Sequence, residues 1–489
     1  MKINRYLVLL ISFVCLLANA KTSEQKSKEA VLKQYFDSCY QANICNGSFL
    51  IYENDGVTFS ASYGINGDAT KSRLSQQHQF DIGSIAKQFT AIAVLHLRDK
   101  KELKLSDPVH RYLPKFPYKT ITIRHLLTHQ SGIPDALKLL EKKFRAGEIK
   151  SAVTHHDAFN IIVEKAPKLH FNPGAQMAYS NTGYMVLAEL IARVTQSSFH
   201  KFMHQSIFKP ANMNDTLVLH PSNKGELLNR AYGFRRQFDG QLRPYDQIPR
   251  LYVSGAGGIY STVEDLLKWQ KALLNHKVIT KASWKEATSP VPLSDGSKKQ
   301  YGYGLSLRTA PTGEKLIAHG GHWRGFKSLL AYFPESSRII IGLTNNGIDD
   351  ELPRIVFDAI DILGGDTNIS FKPVLSDKIY KLITDKKFAD FKQLMVKTKE
   401  ELSQTFSIDE NRINALGYFF VRKQEFDNAI KAFELNKALY SKSANVYDSL
   451  AEAYLAIGDK ERARVNSTQA LAINPEFKEA KRRLEKLSK

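Results

Sequence analysis

Two blocks of strand-like sequence, set far apart in the chain, fix what most of this protein can fold into. Residues 48–52 and 57–63 read as strands around Asn54-Asp55-Gly56, a turn signal that closes a β-hairpin. From about residue 301 the pattern turns to strands again, in YGYGLSL, KLIAHGG, SLLAYFP and RIIIGLTN. Between the blocks, the run IAKQFTAIAVLHL that follows Ser84 is a mostly buried helix. A helix- and loop-rich middle comes next, punctuated by Ser131-Gly132-Ile133-Pro134-Asp135 and Asn172-Pro173-Gly174. Strands at both ends with helices between imply one antiparallel sheet whose last strands arrive late, beside an inserted helical region. That is an α+β arrangement, with a cleft expected at the junction.

A different texture begins after GGDTNISFKPVLS (364–376), which has the composition of a linker centred on 366–376. Beyond it everything reads as helix, and the sequence resembles itself at a spacing of thirty-four residues. Leu416, Gly417, Phe420, Ala429 and Phe433 are answered by Leu450, Ala451, Tyr454, Ala463 and Ser467. Small residues at a close helix crossing, flanked by large ones, are what paired helices need, and the period is that of tetratricopeptide repeats. Two repeats are expected at 413–446 and 447–480, with a degenerate pair at 377–410 before them. An all-α domain over 377–489 follows, able to offer a groove to a protein partner or to pack within the molecule.

The start of the chain points to export. Lys2 and Arg5 precede an apolar stretch from Tyr6 to Leu17, and Ala18-Asn19-Ala20 supplies a small-residue exit. This is the pattern of a secretory signal peptide over 1–20, too short to span a bilayer. Cys15 raises lipidation as an alternative, which Ser12-Phe13-Val14 does not favour. No later segment approaches membrane-spanning length, so the protein is expected to be periplasmic or secreted. Cys39 and Cys45 are then either a short-loop disulfide or two free thiols. A formal net charge of +20 raises nucleic acid as a partner, but the excess is spread rather than gathered, which speaks against it. With 43% apolar and 24% charged residues, neither wholesale disorder nor a polytopic membrane protein fits.

The chemistry lies in three short motifs. The Ser-x-x-Lys triplets at Ser23, Ser84 and Ser198 are separated by context. Only Ser84 opens a long buried helix, where N–H groups and the helix dipole favour developing negative charge, with Lys87 on the same face. A partly desolvated lysine there can take the serine proton. Tyr179-Ser180-Asn181 follows a Pro-Gly turn and precedes a helix, so the Tyr179 phenol can point into a cleft and act as a base beside a lysine. His319-Gly320-Gly321 ends an expected strand, and its glycines allow close approach, so that the His322 N–H could donate to an oxyanion. His125 and His129 stand four apart without the glutamate of a zinc-protease helix, and read as packing groups. His155-His156-Asp157 reads as a helix start. Nothing calls for a metal or a cofactor, and G-x-S-x-G is absent.

In order, context and spacing, these motifs resemble the serine β-lactamase and penicillin-recognising hydrolase superfamily, in its class C-like branch. The resemblance runs from about 46 to 350 and includes FDIGSIAKQFTA, IRHLLTHQSGIPD (123–135) and PGAQMAYSNTGYMVLAELI (173–191). It continues through FHKFMHQSIFKPANMNDT (199–216), SGAGGIYSTVEDLLKW (254–269) and HGGHWRGFKS (319–328). It implies a β-lactamase-like hydrolase domain over 21–365, in which Ser84 is acylated while Lys87 and Tyr179 share the proton transfers. Asn181 would bind the substrate amide or orient Lys87, and the Ser84 and His322 N–H groups would form the oxyanion hole beside Gly321. His319 takes the place of a lysine in true class C β-lactamases, which shifts the expectation toward neutral esters and amides unless Arg324 supplies the missing charge. The reading is thus a serine hydrolase for a small ester, amide or D-amino-acid peptide. A penicillin-recognition fold serving as a binding or sensor protein, with the repeats recruiting a partner, is the alternative.

Overall fold

The computed structural model describes residues 27–347, 352–367, 369 and 371–487. The expected signal peptide and the lipidation alternative at Cys15 lie outside them. The chain forms two compact units, Met1–Arg236 with Leu242–Ile369, and Gln237–Gln241 with Ser370–Lys489.

In the first unit the two strand blocks join. Strands β1 (Gly47–Glu53), β2 (Gly56–Tyr63), β3 (Ser306–Thr309), β4 (Lys315–Trp323), β5 (Phe326–Phe333) and β6 (Arg338–Thr344) form one antiparallel sheet in the order β3-β4-β5-β6-β1-β2. The early hairpin docks on the last strand, with Leu50 opposite Ile341 and Phe49 opposite Gly342. Because side chains alternate across a strand, these two pairs face opposite sides. Leu50, Ile339, Ile341 and Leu343 point into the main core with helices α2 (Ala86–Asp99) and α4 (Val263–Leu274), named here with α1 (27–41), α3 (Asn181–Thr195) and α5 (Leu352–Leu363). Phe49 and Gly342 point the other way, where Phe36 of α1 packs 4.7 Å from the Phe49 ring and Leu352 of α5 sits over Gly342. Burial on both faces explains why Ile339–Thr344 show no polar alternation. Tyr35 donates to Asp358 at 2.6 Å and ties α1 to α5. Just after α1, Cys39 and Cys45 are joined by a disulfide, with Cα atoms 5.3 Å apart.

Helix α2 is buried on every side, which its apolar sequence suits, and Lys87 is the one charged group drawn in with it. One expectation needs correction: β4 does not stop at Gly321 but runs on to Trp323 before turning into β5. The paired strand β5 supplies the ladder that two glycines alone would not signal.

The second unit is all helical. Helices Glu410–Arg422 and Phe426–Leu439 form one packed pair, and Ala444–Ala456 and Lys460–Ile473 form the next. Corresponding helices start thirty-four residues apart, at Glu410 and Ala444, and at Phe426 and Lys460. A Cβ on Gly417 would lie 2.2 Å from the Phe433 ring, so only glycine lets that aromatic ring seat against the helix. Shorter helices, Leu375–Thr384, Phe388–Met395 and Lys399–Thr405, precede these pairs, and Lys478–Leu487 follows with only Ala480 buried. The segment Gln237–Gln241, which chain order alone assigned to the sheet-bearing domain, belongs to this unit. There Phe238 packs against Tyr380 and Phe419, and Lys423 donates to Asp239 at 2.9 Å.

Candidate active site

Ser84 sits in a single 3-10 turn, Gly83–Ile85, that feeds directly into α2. Two features make that turn. Asp81 accepts a hydrogen bond from the Gly83 N–H at 2.8 Å, and Gly83 adopts φ +51°, a left-handed conformation natural to glycine. A Cβ at Gly83 would also come within 2.8 Å of the His322 nitrogen. The Asp81 carboxyl is enclosed, and burial pushes its pKa up to about 7.

Lys87, one turn along α2, has no exposed surface. Its Nζ donates to Ser84 Oγ at 3.0 Å, to Asn181 Oδ1 at 2.9 Å and to the Ala256 carbonyl at 2.9 Å. Burial drives its pKa down to about 7, while the charge of Asp135 acts weakly the other way. Asn181 is placed by its neighbour: the Ser180 hydroxyl caps α3 by accepting from the Gly183 N–H, which makes Asn181 the first helical residue. Its Nδ2 faces Asp135 Oδ2 at 3.4 Å, so the amide oxygen is the atom turned to Lys87. The Tyr179 ring lies 4.8 Å from Lys87 Nζ and keeps 49% of its surface exposed. Desolvation raises the phenol pKa to about 12, opposed by a hydrogen bond with Ser84.

The third motif meets the first back to back. A Cβ at Gly321 would come within 2.1 Å of the Ile82 carbonyl, and Ser328 on β5 donates to that same carbonyl at 2.7 Å. These glycines let β4 lie directly against the serine turn, which brings the His322 backbone beside Gly83. His319 is buried, and its ring centroid lies 6.3 Å from that of Tyr179. Arg324 takes φ +56° in the turn after β4, its Nε bonded to the Asp246 carbonyl at 3.1 Å and its guanidinium 4.2 Å from the Tyr245 ring. Ser84, Tyr179, Asn181, His322 and Arg324 line one cleft of about 470 Å³, with Lys138, Glu141 and Arg145 on a facing helix. Ser198, by contrast, stands just before a short helix outside the cleft.

Several members of the site escaped the sequence. Ala256 acts through a carbonyl, which no side-chain pattern reveals. Asp81 and Asp135 read as turn residues. His129, taken as packing, is buried against the site, 4.3 Å from the Tyr179 ring, and bonds Tyr301. Its polar partners come from distant segments, which explains the omission. His155 does start a helix, His155–Lys165. Among the described residues, no group of three histidine, cysteine or carboxylate side chains is placed to hold a metal ion.

The comparisons with known proteins bear on the fold and the family. Penicillin-binding protein 4* of Bacillus subtilis (strain 168) is 30% identical over 348 residues, which cover 69% of this chain and 76% of that protein. The octameric penicillin-binding protein homologue from Pyrococcus abyssi superposes with a TM-score of 0.60 at 24% identity, covering 68% of this chain and 77% of that one. The D-amino acid amidase from Ochrobactrum anthropi SV3 superposes with a TM-score of 0.55 at 22% identity, covering 70% of this chain and 99% of that one. The family described as Beta-lactamase matches residues 30–361, the span that holds the whole sheet, the serine turn and the cleft, and the chain belongs to that family.

Proposed function

We propose that this protein is an exported serine hydrolase that acts through an acyl-enzyme at Ser84 on a small ester, amide or D-amino-acid peptide. The observation that carries the reading is the setting of Lys87. A neutral lysine has two N–H bonds and one lone pair. The protonated amine donates to all three neighbours; once it is neutral, Asn181 Oδ1 and the Ala256 carbonyl keep the two protons, which leaves the lone pair toward Ser84 Oγ. A pKa near 7 keeps that base available at neutral pH. Ser84 Oγ attacks the substrate carbonyl as its proton passes to Lys87. The Ser84 and His322 backbone N–H groups stabilise the oxyanion. Tyr179, which holds its own proton, relays one between Lys87 and the leaving group. Water then repeats the cycle to release the acid. Arg324 and Lys138 offer positive charge to a substrate carboxylate at the cleft, whose rim also carries the Arg145–Glu141 ion pair.

A pure binding or sensor role fits less well, since a receptor gains nothing from holding a lysine buried at this pKa. The disulfide agrees with an oxidising compartment and so with export. The thirty-four-residue spacing of the paired helices supports tetratricopeptide repeats, with a protein partner as their use. The test is intact mass after exposure to a fluorophosphonate, a penicillin and a p-nitrophenyl ester. One adduct on the wild type and none on a folded Ser84→Ala variant is expected. Labelling that survives this substitution would overturn the assignment.

A further inference from the structure

Behind Tyr179 lies a line of three buried polar side chains that the mechanism does not use: His129, Tyr301 and His319. His129 Nε2 is 3.1 Å from Tyr301 Oη, and Tyr301 Oη is 3.1 Å from His319 Nε2. We propose that these residues form a hydrogen-bond chain of fixed direction, in which Tyr301 is a positioning residue that fixes the His319 proton on Nδ1 and turns the ring away from the substrate.

The direction follows from the two ends. The Ser180 N–H stands 3.1 Å from His129 Nδ1, and a backbone N–H can only donate. Nδ1 is therefore bare, and a neutral His129 carries its proton on Nε2, which donates to Tyr301 Oη. At the other end His319 Nδ1 is 2.6 Å from the Gly320 carbonyl, which can only accept. Nδ1 carries the proton there, and Nε2 is bare. The single Tyr301 proton goes to that bare nitrogen. Tyr184 is also beside Tyr301, but it spends its own proton on the Leu127 carbonyl at 2.7 Å, and a phenol oxygen is a weaker acceptor than imidazole nitrogen. Each proton has one place.

Both rings are held in their neutral form. Burial is the main cause, and the Lys87 charge adds to it: His319 is pushed down to about 4 and His129 well below the ordinary histidine value. The charges bearing on the pair are positive, protonated Lys87 on both rings and Arg308 on His319. His129 and His319 would each oppose protonation of the other, while the Ser180 and Gly320 backbone groups hold the tautomers.

Two consequences follow. His319 has no N–H left for a ligand, since one nitrogen is bonded to its own strand and the other accepts from Tyr301. It cannot replace a lysine as an anion anchor, so that task falls to Arg324. The chain also offers no vacant acceptor of ordinary basicity to the proton shared by Ser84, Lys87 and Tyr179. The consequence for rate rests on Ser84 being the nucleophile; the proton positions do not.

Nitrogen-15 NMR of the full chain with labelled histidine separates the two. The resonances are assigned by single-histidine replacement. The expected spectrum has the His129 proton on Nε2 and the His319 proton on Nδ1, unchanged from pH 7 down to about 5.5. In Tyr301→Phe the His319 Nε2 signal moves. The acid side of the acylation rate profile also gains a second ionisation, because the uncapped nitrogen can take a proton. A purely structural role for Tyr301 would lower the melting temperature without changing that profile. Imidazolium at His319 at pH 7, or a proton on its Nε2, overturns the proposal. So does a folded Tyr301→Phe protein with both signatures unchanged. If Tyr301→Phe does not fold, the wild-type spectrum decides alone. Absence of any Ser84 acylation would defeat the enzymatic reading while the spectrum still tested the chain.

Discussion

The two units bury different things. The first encloses groups that resist burial around the serine turn: Lys87 and Asp81 are at or below 1% exposed, His129 and His319 are buried behind Tyr179, and Asp265, buried on α4, is paired with Lys268. The second encloses mostly apolar side chains and small residues. Its buried polar groups are chiefly amides and hydroxyls such as Asn436, Ser449 and Ser467, and its buried carboxylate, Asp448, is paired with Arg483. Taking an ionisable group out of water works against folding unless partners replace the water. Where a chain accepts that penalty at several adjacent positions, the gain is chemistry. Where it avoids it, the gain is a packed surface.

The sharpest way to break this contrast is Lys87→Met, which replaces the buried amine with an apolar chain of similar length. Turnover is expected to fall by about 10²–10⁴, the usual loss for acid–base assistance. Stability should move the opposite way. Lys87 has a folded pKa of about 7 against an unfolded 10.5, so between these values the unfolded chain holds a proton that the folded chain lacks. Native stability therefore rises with pH through that window, and the full penalty of the buried amine is present below pH 7. Lys87→Met should be more stable than wild type by about 1–3 kcal/mol at pH 6, less what Asn181 and Ala256 lose, with the gain fading as pH nears 10. Denaturant unfolding at several pH values measures it. A destabilised variant at pH 6 would show that the three hydrogen bonds outweigh desolvation.

The second unit should respond to size rather than charge. Gly417 and Phe433 correspond, thirty-four residues on, to Ala451 and Ser467. One pair is small against large, and the other has traded the ring for a hydroxyl and so has room for a methyl group. Gly417→Ala drives a Cβ into the Phe433 ring and should destabilise these helices by about 1–3 kcal/mol. In a double-mutant cycle with Phe433→Leu the penalty should shrink, because the two sites share one contact. Additive effects would mean that the ring does not set the crossing. Hydrogen exchange of Glu410–Arg422 is the direct readout, and Ser84 labelling should be unaffected.

How much of this was legible differs between the units for the same physical reason. Helix pairing is local and periodic, so the spacing from Leu416 to Leu450 carried the second unit. The sheet was legible because its hairpin and late strands alternate or run apolar. In the site, Ser84, Lys87 and Asn181 were legible because their neighbours set their geometry: a helix start, one turn of α2, and a capping Ser180. The Ala256 carbonyl and the His129–Tyr301 pair were not, since both contacts join segments more than a hundred residues apart, one of them through backbone.

The smallest expected effect concerns a helix end, where both units use the same device. Asp409 is the N-cap of Glu410–Arg422, and its side chain accepts from the Arg412 N–H at 2.8 Å. Without it that N–H faces only water, so Asp409→Ala should destabilise the second unit by about 1 kcal/mol. Asparagine offers the same acceptor in the same place but no charge, so Asp409→Asn should be nearly neutral. The gap between the two variants isolates the hydrogen bond from the attraction between a carboxylate and the helix dipole, which salt screens. If Asp409→Asn loses as much as Asp409→Ala, and added salt removes the difference from wild type, the cap works through its charge. The second unit would then lean on electrostatics after all, at its surface rather than in its core.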